Sequence, residues 1–210
     1  MKKLRTFFFM KKLIGLIFIV VFANSPIFSQ VIKLENGVAI SSLNSTKFDF
    51  LNKHITTYSL LVGMDYWENK IFYLSSEAGY LQKGGKEENE FLPENGANIN
   101  ESWNYIHLNT TIRFPFQLEN NAHFFIGAGP KLDFLIGSDK FENPIYAGYN
   151  MNSISFGVKG ELGFVKDFDR IRTGINFSYL YDLNKAGGTK VLDFKNNTYE
   201  IMLSLGYRLW

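Results

Sequence analysis

The sequence predicts an all-β fold, an eight-stranded antiparallel up-and-down transmembrane β-barrel that follows a cleaved export leader. Three observations carry this. Long segments alternate apolar with small or polar residues at period two, over about a dozen residues where a soluble strand has ~5–6. Tight turns and longer polar loops alternate along the chain. The apolar stripes hold on the order of thirty bulky side chains, whereas an eight-strand ring is just wide enough inside for small filling ones. A soluble barrel with that face inward would not close, so the apolar face points outward, which only lipid tolerates.

Residues 1–29 read as a secretory signal peptide, leaving 30–210 as one barrel domain. Lys2, Lys3, Arg5, Lys11 and Lys12 form a basic region. The apolar run Leu13–Phe22 is of signal-peptide length and too short to span a bilayer. Cleavage is placed between Ser29 and Gln30, and Met10 serves equally well as a start. The chain has 22 bases and 20 acids, but five bases and no acids lie in the leader, so the mature chain has 17 bases against 20 acids and a charge of −3. Its bases are scattered, which argues against a nucleic-acid partner. The absence of cysteine excludes disulfides, thiolate metal sites and a cysteine nucleophile.

The first strand is expected near Val31–Leu43, with Val38 and Ile40 on the apolar face, and a loop follows over Asn44–Lys53. The second, Ile55–Trp67, sets Tyr58, Leu60, Val62, Met64 and Tyr66 against Ser59, Gly63 and Asp65. After the turn Glu68-Asn69-Lys70, the third (Ile71–Lys83) sets Phe72, Leu74, Ala78 and Tyr80 against Ser75, Glu77 and Gly79. A polar loop covers Gly84–Glu101. The fourth strand, Ser102–Phe116, alternates Ile106, Leu108, Ile112 and Phe114 with His107, Asn109, Thr111 and Arg113. Beyond a turn at Leu118–Ala122, the fifth (His123–Ile136) sets Phe124, Ile126, Leu132 and Phe134 against Gly127, Gly129, Lys131 and Asp133. Pro130 interrupts that strand, and a bulge is expected there because a closed barrel has no free edge for a residue without an N–H.

A second long loop spans Gly137–Asn152. The hairpin Ser153–Leu183 turns at Lys166–Arg170; its apolar rows are Ile154, Phe156, Val158, Leu162, Phe164 and Ile171, Ile175, Phe177, Tyr179, Tyr181. The loop Asn184–Asn196 carries Gly187-Gly188, and the eighth strand is Asn197–Trp210. Short turns therefore fall at one end with both termini, the periplasmic end of an outer-membrane barrel, and long loops at the other.

Two sets of residues follow as candidates. Inward-facing Asp65, Glu77, Asp133, Glu161 and Glu200 oppose Arg113, Lys131, Lys159, Arg172 and Arg208, five of each sign. Balanced charges in a narrow lumen suit a salt-bridged plug that fixes register; a conducting path would favour one sign and a wider ring. Aromatic girdles are expected at the two interfaces. Tyr66, Trp67, Phe114, Phe164, Tyr207 and Trp210 would lie at the periplasmic rim, with Tyr58, Tyr80, Trp103, Tyr105, Tyr179 and Tyr181 at the other. The expected surroundings are outer-membrane lipid and lipopolysaccharide.

His54, His107 and His123 have no metal-ligand spacing, and no metal or other cofactor is expected. His107 with Glu77 and a serine would suit a lipid-modifying enzyme, but inward Ser and Glu are also what a polar lumen contains. Gly84-Gly85-Lys86 and Gly187-Gly188-Thr189-Lys190 lack the spacing and following helix of a phosphate loop. The loops 84–101 and 137–152, with Phe91, Leu92, Ile99, Phe141, Ile145, Tyr146 and Tyr149, suggest a docking surface for another envelope or secretion protein.

Tyr80–Lys86, Tyr105–Leu108 leading to Arg113-Phe114-Pro115, Phe125–Pro130, Phe156–Gly163 and Leu205–Arg208 resemble segments of a known family. It is the outer-membrane β-barrel domain family of Bacteroidota that includes PorT. The resemblance covers nearly all the mature chain, and it departs at the fourth strand, where the family's Ile-Pro is Leu108-Asn109. It implies an outer-membrane barrel, and through PorT an association with type IX secretion. The reading that results is a non-enzymatic envelope scaffold or secretion-associated component acting through its extracellular loops, ahead of a lipid-modifying enzyme or a small passive pore.

Overall fold

A computed structural model describes residues 30–45, 51–88, 98–142, 148–188 and 193–209. The expected leader and Trp210 lie outside them. The strands are β1 (Val31–Ser45), β2 (Ile55–Tyr66), β3 (Tyr73–Glu88), β4 (Asn98–Gln117), β5 (Ala122–Ile136), β6 (Asn150–Met151), β7 (Ile154–Phe168), β8 (Ile171–Asp182), β9 (Gly187–Gly188) and β10 (Asp193–Arg208). The eight long strands pair antiparallel with their sequence neighbours. The ring closes where β1 meets β10, from Val31 opposite Arg208 to Ser45 opposite Phe194. The two-residue strands β6 and β9 pair with each other, and β9 with β10, at the long-loop end.

Turn chemistry sets the short end. Asn69 Oδ1 accepts from the amides of Ile71 (2.8 Å) and Phe72 (2.9 Å), closing β2 into β3. Asn120 and Asn121 both take positive φ, 61° and 57°, which asparagine tolerates better than most side chains. Asp169, at φ 52°, opens the two-residue link between β7 and β8. Gln30 and Leu209 meet at this same end through a 2.9 Å backbone hydrogen bond.

The ring is inside out relative to a soluble core. Among the described residues thirty large apolar side chains stand exposed, and buried polar and charged residues outnumber buried apolar ones by 27 to 18. Only a hydrocarbon solvent makes that partition favourable.

Three expectations change. First, half of the predicted loop 84–101 is barrel wall: β3 runs on to Glu88 and β4 begins at Asn98, paired from Gly84 opposite Ser102 to Glu88 opposite Asn98. At 20 residues β4 is about twice what crosses a bilayer, so this part of the wall stands clear of the membrane. Second, Pro130 produces no bulge. The β4–β5 pairing skips Thr110–Thr111 opposite Gly129–Pro130, but Asn109 opposite Lys131 and Ile112 opposite Ala128 keep one register. The proline costs ladder bonds on the β4 side, while β5 stays paired to β7 throughout. Third, Ile99 is buried, and Phe141 and Tyr149 are partly buried against the barrel interior instead of forming an exposed docking patch. Phe91, Leu92, Ile145 and Tyr146 lie outside the described residues.

Candidate functional site

Alternation along each strand brings one row of side chains into the lumen, and the charged ones meet there in a connected network. Arg113, on β4, donates to both oxygens of Glu161 (2.6 and 2.9 Å) and to Glu77 Oε1 (2.7 Å). Its guanidinium also lies 4.5 Å from the centroid of the Phe125 ring. Glu77 is the hub: Lys33 (2.6 Å) and Lys159 (2.6 Å) donate to its two oxygens, and Asn109 adds a 3.0 Å bond. Lys33 also donates to Glu35 at 2.7 Å, and Asn176 donates to the same oxygen.

A second cluster lies toward the long-loop end. Asp133 accepts from Lys83 (2.5 Å) and Lys131 (2.6 Å), and Lys131 also pairs with Asp182. His107 Nδ1 is 2.5 Å from Asp133 Oδ1, and Asn109 Nδ2 is 3.0 Å from His107 Nε2. With Asn109 donating to Nε2, His107 carries its proton on Nδ1 and gives it to Asp133. Asn109 thereby joins the two clusters. Glu200 stands apart, accepting a 2.9 Å bond from Ser59.

The short-turn end has a third, wetter group. Arg172 reaches Asp65 (3.2 Å), Asp167 (2.8 Å) and Glu68. Arg208 reaches Glu68 at 2.9 Å and Asp167 at 3.3 Å. Nine of the ten predicted lumen charges are buried; Arg208, with 23% of its side chain exposed, belongs to this rim. A recess of about 360 Å³ opens here, lined by Glu68, Tyr73, Gln117, His123, Asp167 and Arg172 among others.

Sequence reasoning missed Lys33, Glu35, Lys83, Glu101 and Asp182, all buried. With them the buried charges among the described residues number eight acids and six bases in place of five and five. The signal was present: Ile32 and Leu34 face outward, so period two turns Lys33 and Glu35 inward. The same parity carried past Leu81 and Leu180 places Lys83 and Asp182.

Beyond the charges the mouth is filled. Leu43, Leu51, Ile99, Trp103, Tyr105, Met151, Ala186 and Phe194 form a buried apolar cluster, with Leu135, Phe141 and Tyr149 against it. Trp103 and Phe141 meet edge to face at 4.8 Å, and Tyr149 lies 5.6 Å from Phe194. This corrects the girdle assignment of Trp103 and Tyr105. Both are inward, 3% and 2% exposed, two and one steps of two residues from lumen-facing His107. Above the hydrocarbon belt bulky rings pack into the lumen, and Lys83 lies 5.4 Å over the Tyr105 ring.

The remaining described girdle residues lie on the outer face. Tyr66, Trp67, Phe114, Phe164 and Tyr207 are toward the short-turn end, and Tyr58, Tyr80, Tyr179 and Tyr181 toward the other. Some of their hydroxyls find polar partners: Tyr80 donates to Asn104 at 2.6 Å, and Arg170 donates to Tyr207 at 3.3 Å. Tyr179 stacks at a tilt on Tyr199, with centroids 4.9 Å apart.

A closed antiparallel ring of eight long strands, charged within and apolar without, defines a transmembrane β-barrel. Among solved structures the chain is similar to the outer membrane protein OprG from Pseudomonas aeruginosa (11% identity, 86% of this chain and 96% of that one, TM-score 0.58). It is similar also to AlkL, an outer membrane protein determined in DMPC bilayers (10% identity, 89% and 95%, TM-score 0.55). A third is Neisserial surface protein A (12% identity, 86% and 97%, TM-score 0.54). At these identities the likeness is one of fold. No protein-family model matches the chain, and no curated protein matches it.

Proposed function

We propose that this chain is an integral outer-membrane barrel of the non-conducting kind, an envelope scaffold or secretion-associated component that works through its long-loop end. The observation that carries the reading is the filled lumen: a salt-bridged middle closed on one side by the Trp103–Phe141–Phe194 cluster. With the interior occupied, the wall and the loop end remain for contact with partners. A place beside PorT in type IX secretion is the finer form of this proposal, supported by the segment resemblance. Lipid and lipopolysaccharide are the surroundings that the exposed apolar belt and its tyrosine rims would take.

The enzymatic reading has weak support in the geometry. His107 and Asp133 make a base–orienter pair, but His107 Nε2 is taken by Asn109, and among the described residues no serine hydroxyl bonds to it. Non-enzymatic action is therefore the proposal.

The test is gentle detergent extraction of the tagged chain from its own outer membrane, with and without residues 89–97 and 143–147 replaced by Gly/Ser linkers of equal length. We expect a stoichiometric envelope partner with the unsubstituted chain and its loss in the replaced form, both forms keeping heat-modified migration in gels. A partner retained by the replaced form, or none with either, would overturn action through the loops.

A further inference from the structure

We infer that the lipid-facing wall made by β10, β1 and β2 is the seat of a second copy of this chain, with Asn36 at the two-fold centre. Asn36 lies on the outward row of β1, between Leu34 and Val38, themselves 47% and 38% exposed. Its cross-strand neighbours are Leu60 and Leu203. Along its own row Ile32 is opposite Tyr207 and Ile40 opposite Tyr199, so the amide stands midway between the two tyrosine rims, at the depth of the hydrocarbon.

Among the described residues its side chain makes no hydrogen bond. Several other polar side chains on the outer wall are paired, and Thr173, near the short-turn rim, is a second that is not. Tyr66, Ser76 and Thr110 form a chain of hydroxyls at 2.9 Å steps, and Tyr80 bonds Asn104. Acyl chains offer an amide neither donor nor acceptor, and a polar group left bare in hydrocarbon is costly. The missing partner must come from protein.

The chemistry selects a second copy. A carboxamide has an acceptor oxygen and two N–H donors, so two asparagines related by a two-fold axis satisfy each other by exchanging N–H···O bonds. Two-fold dimers are the commonest homo-oligomers, and their interfaces must be self-complementary in this way. The surrounding side chains supply a continuous apolar rim: Leu203 is 66% exposed, Leu205 58% and Val62 56%. This inference rests on the membrane reading, so the two must be tested apart.

The chain has no cysteine, so single-cysteine variants report one position each. Asn36→Cys would be compared with Ile126→Cys on β5, half way round the ring, and Leu203→Cys with and without Asn36→Leu. Membranes holding each variant are treated with a short bismaleimide. The expected result is a band of twice the mass for N36C and L203C but not I126C, lost from L203C when Asn36→Leu is added. Cross-linking of N36C no greater than that of I126C, a band that contains a different protein, or an L203C dimer indifferent to Asn36→Leu would overturn the second-copy interface. Heat-modified migration of the unsubstituted chain is scored first. Its absence would overturn the membrane reading itself, whereas its presence without the dimer overturns the dimer alone.

Discussion

Arg113 is the side chain whose removal should be felt most. Its guanidinium is buried, binds Glu161 at two points and Glu77 at a third, and lies over Phe125. Truncation would leave two buried carboxylates short of a counter-charge, which costs far more than an exposed pair. Arg113→Ala is expected to destabilise the barrel by about 3–5 kcal/mol, measured by urea unfolding from liposomes. The rim pair of Arg208 with Glu68, more exposed at 23% and 16%, gives the contrast, and Arg208→Ala should cost no more than about 1 kcal/mol in the same assay. Equal losses for the two would show that burial does not set the value of these pairs. His107 illustrates the same scale differently: its tautomer is fixed by Asn109 on one side and Asp133 on the other, so it serves the network as a connector.

At the scale of the strand, small residues decide what the lumen can hold. A Cβ at Gly163 on β7 would lie 2.5 Å from Phe125 Cε1 and 2.7 Å from Asn176 Oδ1. Gly163→Val should therefore displace Phe125 from Arg113 and cost about 1–3 kcal/mol by overpacking. Unfolding of this variant at the unsubstituted urea midpoint would contradict that packing. Strands were also the unit at which the sequence was most legible. Period two identified all eight long strands and the face each turns outward, because the lipid-facing row must be apolar wherever the strand is in hydrocarbon. Where β3 and β4 rise above the membrane that demand lapses. The outward row is polar there, and its stretch through Lys86 and Asn100 resembled a loop, although its pairing continues. The same lapse hid the parity of Trp103 and Tyr105, which alternation from His107 would have assigned inward. Pro130 suggested a bulge because a lost donor usually forces one; here the β4–β5 ladder opens over two pairs and the register holds.

The whole molecule is a ring whose contents cancel nearly all their own charge. Among the described residues eight buried acids and six buried bases line the lumen, two clusters of them joined by Asn109, and an aromatic cluster occupies the long-loop mouth. Little of that cluster was visible in the sequence. Leu43 and Trp103 were assigned to strand ends, Phe141, Tyr149 and Phe194 to loops, and only the closed ring brings them to one place. Nine of the fourteen buried charges were legible in sign and face but not in connection, since which lysine meets which carboxylate depends on shear between strands far apart in sequence, as for Glu77 and Lys159. The fold accordingly follows from alternation alone, while the filling of the lumen is a property of the closed barrel.

That filling is the central claim, and single-channel recording tests it most directly. Purified, heat-modifiable protein would be inserted into a planar lipid bilayer under an applied voltage, with insertion confirmed by protease protection. The account predicts a current that stays at baseline, without stable conductance steps. Reproducible open-channel steps from the unsubstituted chain would contradict it, because no path for ions could coexist with a lumen closed by the Arg113–Glu77 network and the Trp103 cluster.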